Sequence, residues 1–415
     1  MDKAKSFDIS KQVVWEAFQR VKANQGAAGV DAESIADFEG NLKDNLYKLW
    51  NRLSSGSYFP PPVRAVAIPK KSGGTRILGI PTVADRTAQM VAKSYLEPLV
   101  EPCFHPDSYG YRPGKSAIQA VEATRKRCWR YDWLLEFDIR GLFDNIPHDL
   151  MLRAVKHHTD CKWALLYIER WLTAPLQVKD GTLQQRTAGT PQGGVISPLL
   201  ANLFLHYVFD KWMERKFPEN LWARYADDGV VHCRTKEEAD TLLAALRTRF
   251  LECGLELHPE KTRIIYCKDD DRKGRHPEIK FDFLGYTFRP RRSKNRYGKF
   301  FISFTPAVSD KAAKAMRQKI HDWRIHLKPD KTLEDISRMF NPVLRGWINY
   351  YGHFYKSGMY PTLRHMNRAL VHWVRRKFKR YNRHKRRAEH WLGRVARRDP
   401  KLFAHWRMGI LPTAG

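Results

Sequence analysis

Three aspartates stand where short apolar runs end. Asp138 falls near the end of Trp133-Leu134-Leu135-Glu136-Phe137-Asp138-Ile139, a mostly apolar run that reads as a strand. Asp227 and Asp228 lie in Ala226-Asp227-Asp228-Gly229, between the runs Leu221 to Tyr225 and Val230 to Cys233. Asp-Gly between two such runs predicts a hairpin turn. If these strands pair in one sheet, three carboxylates meet at one edge. Like charges there would repel and raise their pKa values unless cations hold them. A hard dication with oxygen ligands resolves this, and Mg²⁺ suits it. Two such ions would activate a 3′-hydroxyl and stabilise a departing pyrophosphate.

A second group of residues surrounds a predicted helix start. In Gly189-Thr190-Pro191-Gln192-Gly193-Gly194-Val195-Ile196-Ser197-Pro198, three glycines leave no Cβ ahead of the helix, so backbone can approach a base pair or sugar closely. Ser197 reads as the cap, with proline at the first helical position and Leu199, Leu200, Leu203, Phe204, Tyr207 and Val208 on one face. The Gln192 amide can donate and accept hydrogen bonds at that approach. Lys70 and Arg76 flank the Gly73-Gly74 turn of a predicted hairpin whose strands are Val63 to Pro69 and Thr75 to Pro81.

These motifs carry a family resemblance. Tyr225-Ala226-Asp227-Asp228 resembles the Y-x-D-D signature of reverse transcriptases, and Phe137 to Ile146 resembles their first carboxylate motif. Gly189 to Asn202 resembles the template- and nucleotide-positioning motif of the group II intron branch. The order and spacing of the three also match that family. Phe340-Asn341-Pro342-Val343-Leu344-Arg345-Gly346-Trp347-Ile348-Asn349-Tyr350-Tyr351-Gly352 resembles the maturase-specific domain, which retroviral enzymes lack. Gly26-Ala27-Ala28-Gly29-Val30-Asp31 resembles the extra N-terminal segment of this branch, and Asp85-Arg86 fits the pattern after the first hairpin. The resemblance covers nearly the whole chain.

The resemblance implies an RNA-directed DNA polymerase that also binds its group II intron RNA, promotes splicing, and copies the intron into DNA during retrohoming. It implies two Mg²⁺ ions, with Asp138, Asp227 and Asp228 catalytic and Ile139 joining them in holding metal. Lys70 and Arg76 would grip the incoming triphosphate. Phe143 would be the steric gate against a ribose 2′-hydroxyl, or else plain core. Gln192 would contact the nucleotide, and Lys261 would protonate pyrophosphate or only neutralise it. Nucleic acid would meet Arg64, Gly193, a thumb face of Arg345, Lys356, Arg364, Arg368, Arg375, Arg376 and Lys377, and then Arg383, Lys385, Arg386 and Arg387. Trp347 reads first as core. Many members end with an H-N-H nuclease bearing cysteine pairs. No cysteine follows Cys267, so second-strand cleavage is expected to be missing, with the primer supplied from elsewhere, such as a nascent strand at a replication fork.

The elements must bring these residues together. Ser10 caps a predicted helix with Val13, Val14, Ala17, Phe18 and Val21 on its apolar face. Tyr58-Phe59-Pro60-Pro61-Pro62 ends the first helical region, and Ala84 to Val100 is helical again. Phe281 to Phe288 alternates as one aromatic-rich strand, and Pro290 to Arg296 reads as a basic loop and domain boundary with mostly helix beyond. The fold class is α+β. By resemblance it is a right-hand polymerase: fingers and palm with an antiparallel sheet over residues 1–289, an all-α thumb or maturase domain over 290–385, and a short basic tail over 386–415.

Composition bounds the partners. A chain of 415 residues exceeds one ordinary core. Lys and Arg number 74 against 44 Asp and Glu, a formal charge of +30 that opposes compaction unless a polyanion neutralises it, so nucleic acid is the expected partner. The implied partners are group II intron RNA, a DNA target and primer, and deoxynucleoside triphosphates. The six cysteines offer no pair at zinc-ligand spacing and read as reduced thiols. No apolar run approaches the roughly 20 residues that span a bilayer, and the first ten residues carry no apolar signal core. No membrane contact is therefore expected, and the implied location is a bacterial cytoplasm. The pattern specifies no oligomeric state. Two rivals stay open: a domesticated relative serving defence or repair, and a splicing-only maturase that holds RNA. The three acids argue for chemistry.

Overall fold

The computed structural model describes residues 6–69 and 74–413 and divides into two compact units, Met1–Ala120 with Leu135–Arg263, and Val121–Leu134 with Ile264–Gly415. In the first unit, helix Lys11–Asn24 begins where Ser10 Oγ accepts the Val13 N–H at 3.2 Å. Val14, Ala17, Phe18 and Val21 are buried along it, and Phe18 stacks on Phe38 with 5.4 Å between ring centres. Val13 was expected on that face and is exposed. One helical step of about 100° carries it off the stripe that its four neighbours define. Helix Val83–Val100 starts at Thr82, whose hydroxyl accepts the Asp85 N–H at 3.1 Å.

Eight strands precede Cys267 in the chain: β1 (Val63–Pro69), β2 (Thr75–Ile80), β3 (Trp133–Asp138), β4 (Leu176–Gln177), β5 (Leu183–Gln184), β6 (Trp222–Tyr225), β7 (Asp228–Cys233) and β8 (Arg263–Tyr266). They form two sheets, ordered β2-β1-β4-β5 and β6-β7-β3-β8. β1 and β2 pair antiparallel from Arg64 opposite Ile80 to Pro69 opposite Thr75. The tip of that hairpin, with Lys70, lies outside the described residues. The second sheet carries all three aspartates.

In the second unit the expected aromatic strand is a hairpin. β9 (Phe281–Phe283) turns at Leu284 and Gly285, whose φ angles of 51° and 82° are both left-handed, into β10 (Tyr286–Lys294). Most of the expected basic loop, Pro290 to Lys294, is also strand, and Asn295 and Arg296 open the turn. β10 pairs with β11 (Phe300–Val308) from Tyr286 opposite Val308 to Lys294 opposite Phe300. Pairing with the β-prone run Phe300-Phe301-Ile302-Ser303-Phe304 overrides the local preference of Pro290 and the arginines. Helices Asp310–Asp322, Leu333–Tyr351, Tyr360–Lys377 and Lys385–Arg398 follow. They close on one core that includes Leu344, Leu363, Leu370, Trp373, Leu392 and Trp406. Trp347 is partly buried against that core and stacks on Trp323, 5.6 Å between centroids and 7° between planes. The whole is a mixed α+β fold with a helical C-terminal region. All six cysteines are free thiols. Among the described residues no helix is long and apolar enough to cross a membrane.

Candidate active site

β3 delivers Asp138, and the backbone after it is pinned on two sides. The Ile139 N–H donates to the Asp227 carbonyl at 3.3 Å, and the Arg140 N–H donates to the Glu256 carbonyl at 2.8 Å. The His258 N–H donates to the Asp138 carbonyl at 2.8 Å. This lays the segment after Gly254 along the end of β3 and brings Lys261 Nζ to 2.9 Å from Asp138 Oδ2. Asp138, Ile139, Asp227, Asp228 and Lys261 therefore gather at one sheet edge; the sequence reading anticipated the meeting of the three acids and had Lys261 from resemblance alone.

The hairpin itself is shifted from expectation. Tyr225 pairs with Asp228, so the turn is Ala226-Asp227, and Asp228-Gly229 already belongs to β7. Ala226 takes the left-handed φ of 56° that turn propensity assigns to glycine. Gly229 is needed elsewhere. A Cβ on it would run into the Phe137 ring.

Ala226 is held by a group the sequence reading missed. Arg224 is fully buried in β6, an arginine inside an apolar strand. Its Nε and Nη2 donate to the Asp210 carboxylate at 2.9 and 2.8 Å. Nη1 donates to Asn202 Oδ1 at 3.1 Å and to the Ala226 carbonyl at 3.3 Å, and Nη2 also reaches Ser108 Oγ at 2.9 Å. Burial would raise the Asp210 carboxyl, yet the Arg224 charge holds it below the ordinary range. The backbone beside it pairs too: Tyr109 N–H donates to the Arg224 carbonyl at 2.8 Å. Tyr111 follows, 6.2 Å from the Tyr225 ring. Burial first, then Asp227, push the Tyr111 hydroxyl up, and Arg76 is near enough to pull against them.

The electrostatics at the edge define what it can hold. Burial pushes the Asp228 carboxyl up, Asp227 adds to this, and a hydrogen bond with Asp138 completes the rise to about 8. Asp227 is raised by burial and by Asp138. Burial would lower the Lys261 ammonium, but the hydrogen bond and charge of Asp138, with Asp228 and Asp227 behind, hold it above its ordinary value. Among the described residues no three His, Cys, Asp or Glu side chains are already closed into a ligand cage. The donor set still fits hard divalent cations: three carboxylates, two of them raised by burial and by the neighbouring acids, with one lysine in partial compensation.

The Gln192 loop packs on protein as much as it faces outward. Thr190 N–H donates to the Phe143 carbonyl at 2.7 Å, and the Gln192 amide reaches the Asp144 carboxylate at 3.2 Å. The Gln192 carbonyl accepts the Gly79 N–H of β2 at 2.7 Å. Gly193 has φ 120°, and a Cβ there would strike the Gly79 carbonyl, so close approach of β2 already accounts for this glycine. Ser197 is the first helical residue rather than the cap, and its hydroxyl pairs with Thr190 Oγ1 at 2.7 Å. Asp85 and Gln89 support the loop from below. Asp85 accepts from Tyr58 and Trp171 at 2.7 and 2.8 Å and from Gln89 at 3.0 Å, and Gln89 Oε1 accepts the Val195 N–H at 2.8 Å. Arg86 donates to the Gln25 and Ala27 carbonyls at 3.2 and 3.0 Å, fixing the N-terminal glycine segment. Phe143 and Arg64 are half-buried, and Arg76 is exposed.

In the second unit Arg345, Lys356, Arg364, Arg368, Arg376, Arg383, Lys385, Arg386 and Arg387 are all exposed. Arg375 and Lys377 are half-buried and engaged: Arg375 donates to the Asn382 carbonyl at 2.8 Å, and Lys377 to those of Pro329 and Lys331 at 2.7 Å.

Three acids and a lysine at one sheet edge make a site suited to divalent cations and to phosphate chemistry. The chain matches the profile of reverse transcriptase (RNA-dependent DNA polymerase) over residues 68–288 and that of the group II intron maturase-specific domain over residues 313–391. It therefore belongs to the reverse transcriptase family, in its group II intron branch, and is an RNA-directed DNA polymerase. Protein YkfC of Escherichia coli is 31% identical over 70% of this chain and 83% of its own length. The group II intron-encoded protein LtrA of Lactococcus lactis is 28% identical over 83% of this chain and 69% of its own length. An uncharacterised 91 kDa protein in the cob intron of Schizosaccharomyces pombe is 25% identical over 86% and 51%.

Proposed function

We propose that this reverse transcriptase binds its own group II intron RNA, promotes its splicing, and copies it into DNA during retrohoming in a bacterial cytoplasm. Residues 1–289 act as fingers and palm, 290–385 as thumb, and 386–415 as a basic extension. The observation that carries the polymerase site is the crowding of Asp138, Asp227 and Asp228 at one edge, with Asp228 raised to about 8. Asp138, Asp227, Asp228 and the backbone at Ile139 would hold two Mg²⁺ ions. When bound, those ions supply charge for activating a primer 3′-hydroxyl and for stabilising the leaving pyrophosphate. Lys70 and Arg76 bind the triphosphate of the incoming deoxynucleotide. Phe143 excludes a ribose 2′-hydroxyl. Gln192, held by Asp144, orients the nucleotide, and Arg64 and Gly193 line the template path. Lys261 leaves Asp138 for the pyrophosphate and gives it a proton or a neutralising charge. The exposed cations from Arg345 to Arg387 receive intron RNA and target DNA by their phosphates.

The test is Asp227→Ala assayed for both roles. Primer extension on an RNA template should fall to background, because a metal-bound carboxylate contributes several kcal/mol to the transition state. Splicing of the cognate intron should persist, because the maturase role uses RNA contacts. Near-normal extension would overturn the site. Loss of splicing as complete as loss of synthesis, in a folded variant, would overturn the separation of roles.

A further inference from the structure

The β10–β11 hairpin has a buried root and a bare tip. At the root Tyr286, Phe288 and Phe304 are buried, and Phe288 stacks on Phe281 with 4.6 Å between centroids. Toward the tip Tyr297 is 77% exposed, Phe300 52% and Ile302 43%, an apolar group close together in the chain and open to a partner. Arg292 stands opposite Ile302 and Lys294 opposite Phe300, so these four side chains share one face. From Tyr286 to Val308 the chain carries Arg289, Arg291, Arg292, Lys294, Arg296 and Lys299 and no acid.

The exposure is built into the tip. Asn295 Oδ1 accepts the Tyr297 and Lys299 N–H groups at 3.0 and 2.9 Å, which fixes the turn. The Arg292 guanidinium lies 3.9 Å from the Phe300 centroid, and that of Arg296 4.6 Å from Tyr297. Beside this face is a groove of about 950 Å³ whose lining includes Trp129, Arg125, Phe300, Tyr355 and Asp269 to Asp271. Two of those acids are engaged: Asp270 accepts the Ile302 N–H at 2.8 Å, and Asp269 pairs with Arg272.

Exposed rings that each carry a guanidinium over one face can offer the other face to an unpaired base. Any base can stack on a ring while the cations meet the backbone, whereas a duplex hides its base faces. We infer that this face of the hairpin binds single-stranded RNA, the polymer this enzyme copies. Bases stack on Phe300 and Tyr297, and phosphates meet Arg292, Lys294 and Arg296. A concave groove fits a strand better than a flat lipid surface. The inference is independent of the metal site.

Fluorescence anisotropy on the full chain, with a labelled oligo(U) strand and an RNA duplex of equal length, tests it. Tyr297→Ala and Phe300→Ala, both at exposed positions, should each weaken oligo(U) binding roughly five- to hundredfold and leave duplex binding and the melting curve unchanged. Replacing Arg292, Lys294 and Arg296 with Gln should flatten the log affinity against log salt slope for oligo(U) by about two units. Unchanged oligo(U) affinity in the ring variants, or an equal loss on duplex, would overturn the inference. So would binding of the parent to phosphatidylserine vesicles that is lost in the ring variants while oligo(U) binding stays.

Discussion

Replacing Asp228 with Asn should stabilise the metal-free protein while abolishing polymerisation. In the absence of metal, burial first and then Asp227 and Asp138 push the Asp228 carboxyl from 3.8 to about 8. A carboxyl raised in the folded state contributes stability that is complete below its unfolded value and is lost as pH rises through its folded value. Between those two values the folded site keeps a proton that the unfolded chain releases, so each pH unit lowers stability by about 1.4 kcal/mol. At pH 7 the loss is on the order of 4 kcal/mol, an upper bound because outward movement of the turn relieves part of it. Asn has no charge and keeps an N–H donor for Asp138, so the variant escapes this loss. Urea unfolding in EDTA at several pH values measures the difference. The gain should be near zero at about pH 4, grow toward pH 8, and level off above it. Adding Mg²⁺ should then stabilise the parent far more than the variant. If Asp228→Asn is no more stable than the parent above pH 8 in EDTA, or if the difference does not shrink toward acid, the three carboxylates do not crowd as described.

Three further outcomes follow from the same geometry. Phe143→Ala should lower the preference for deoxy- over ribonucleotides at least about tenfold in kcat/KM, and an unchanged ratio would remove Phe143 from the gate. Arg224→Met alone should cost roughly 3–5 kcal/mol of stability by stranding Asp210. Arg224→Met with Asp210→Leu should recover the fold but raise the Mg²⁺ concentration needed for extension, because the Ala226 carbonyl has lost its donor; a double variant with parental Mg²⁺ dependence would make the pair purely structural. Neutralising Arg383, Lys385, Arg386 and Arg387 together should flatten the salt dependence of intron RNA binding, measured by filter binding, by about three units, and an unchanged slope would mean that they touch no phosphate.

Much of the acidic edge was legible because its carboxylates sit at strand ends. An acid closing an apolar run and two acids between apolar runs can be read without knowing the sheet. The turn was read two residues too long because Asp-Gly is the stronger local signal. Cross-strand register and the fit of Gly229 against Phe137 decide the turn instead. Arg224 escaped notice because a charged residue in a strand reads as solvent-facing, and its partner Asp210 is 14 positions earlier on another element. The β10–β11 hairpin was hidden by its own cations, which mimic a loop, while the β-prone partner strand lies beyond them. The role of Gly193 was legible only in part. Its missing side chain was foreseen, but its packing against the Gly79 carbonyl depends on a strand more than a hundred residues away.

The contact between Phe137 and Gly229 has a consequence for inheritance. A glycine codon reaches alanine, valine and several larger residues by one base change. Each of these puts a Cβ where the Phe137 ring already lies. Random alleles at position 229 will thus be lost although the residue needs no side chain for the reaction, and a genetic survey would mark it as if it were catalytic. Drift there is open only in step with position 137. Two codons on neighbouring strands, 92 apart in the chain, form one linked unit of variation.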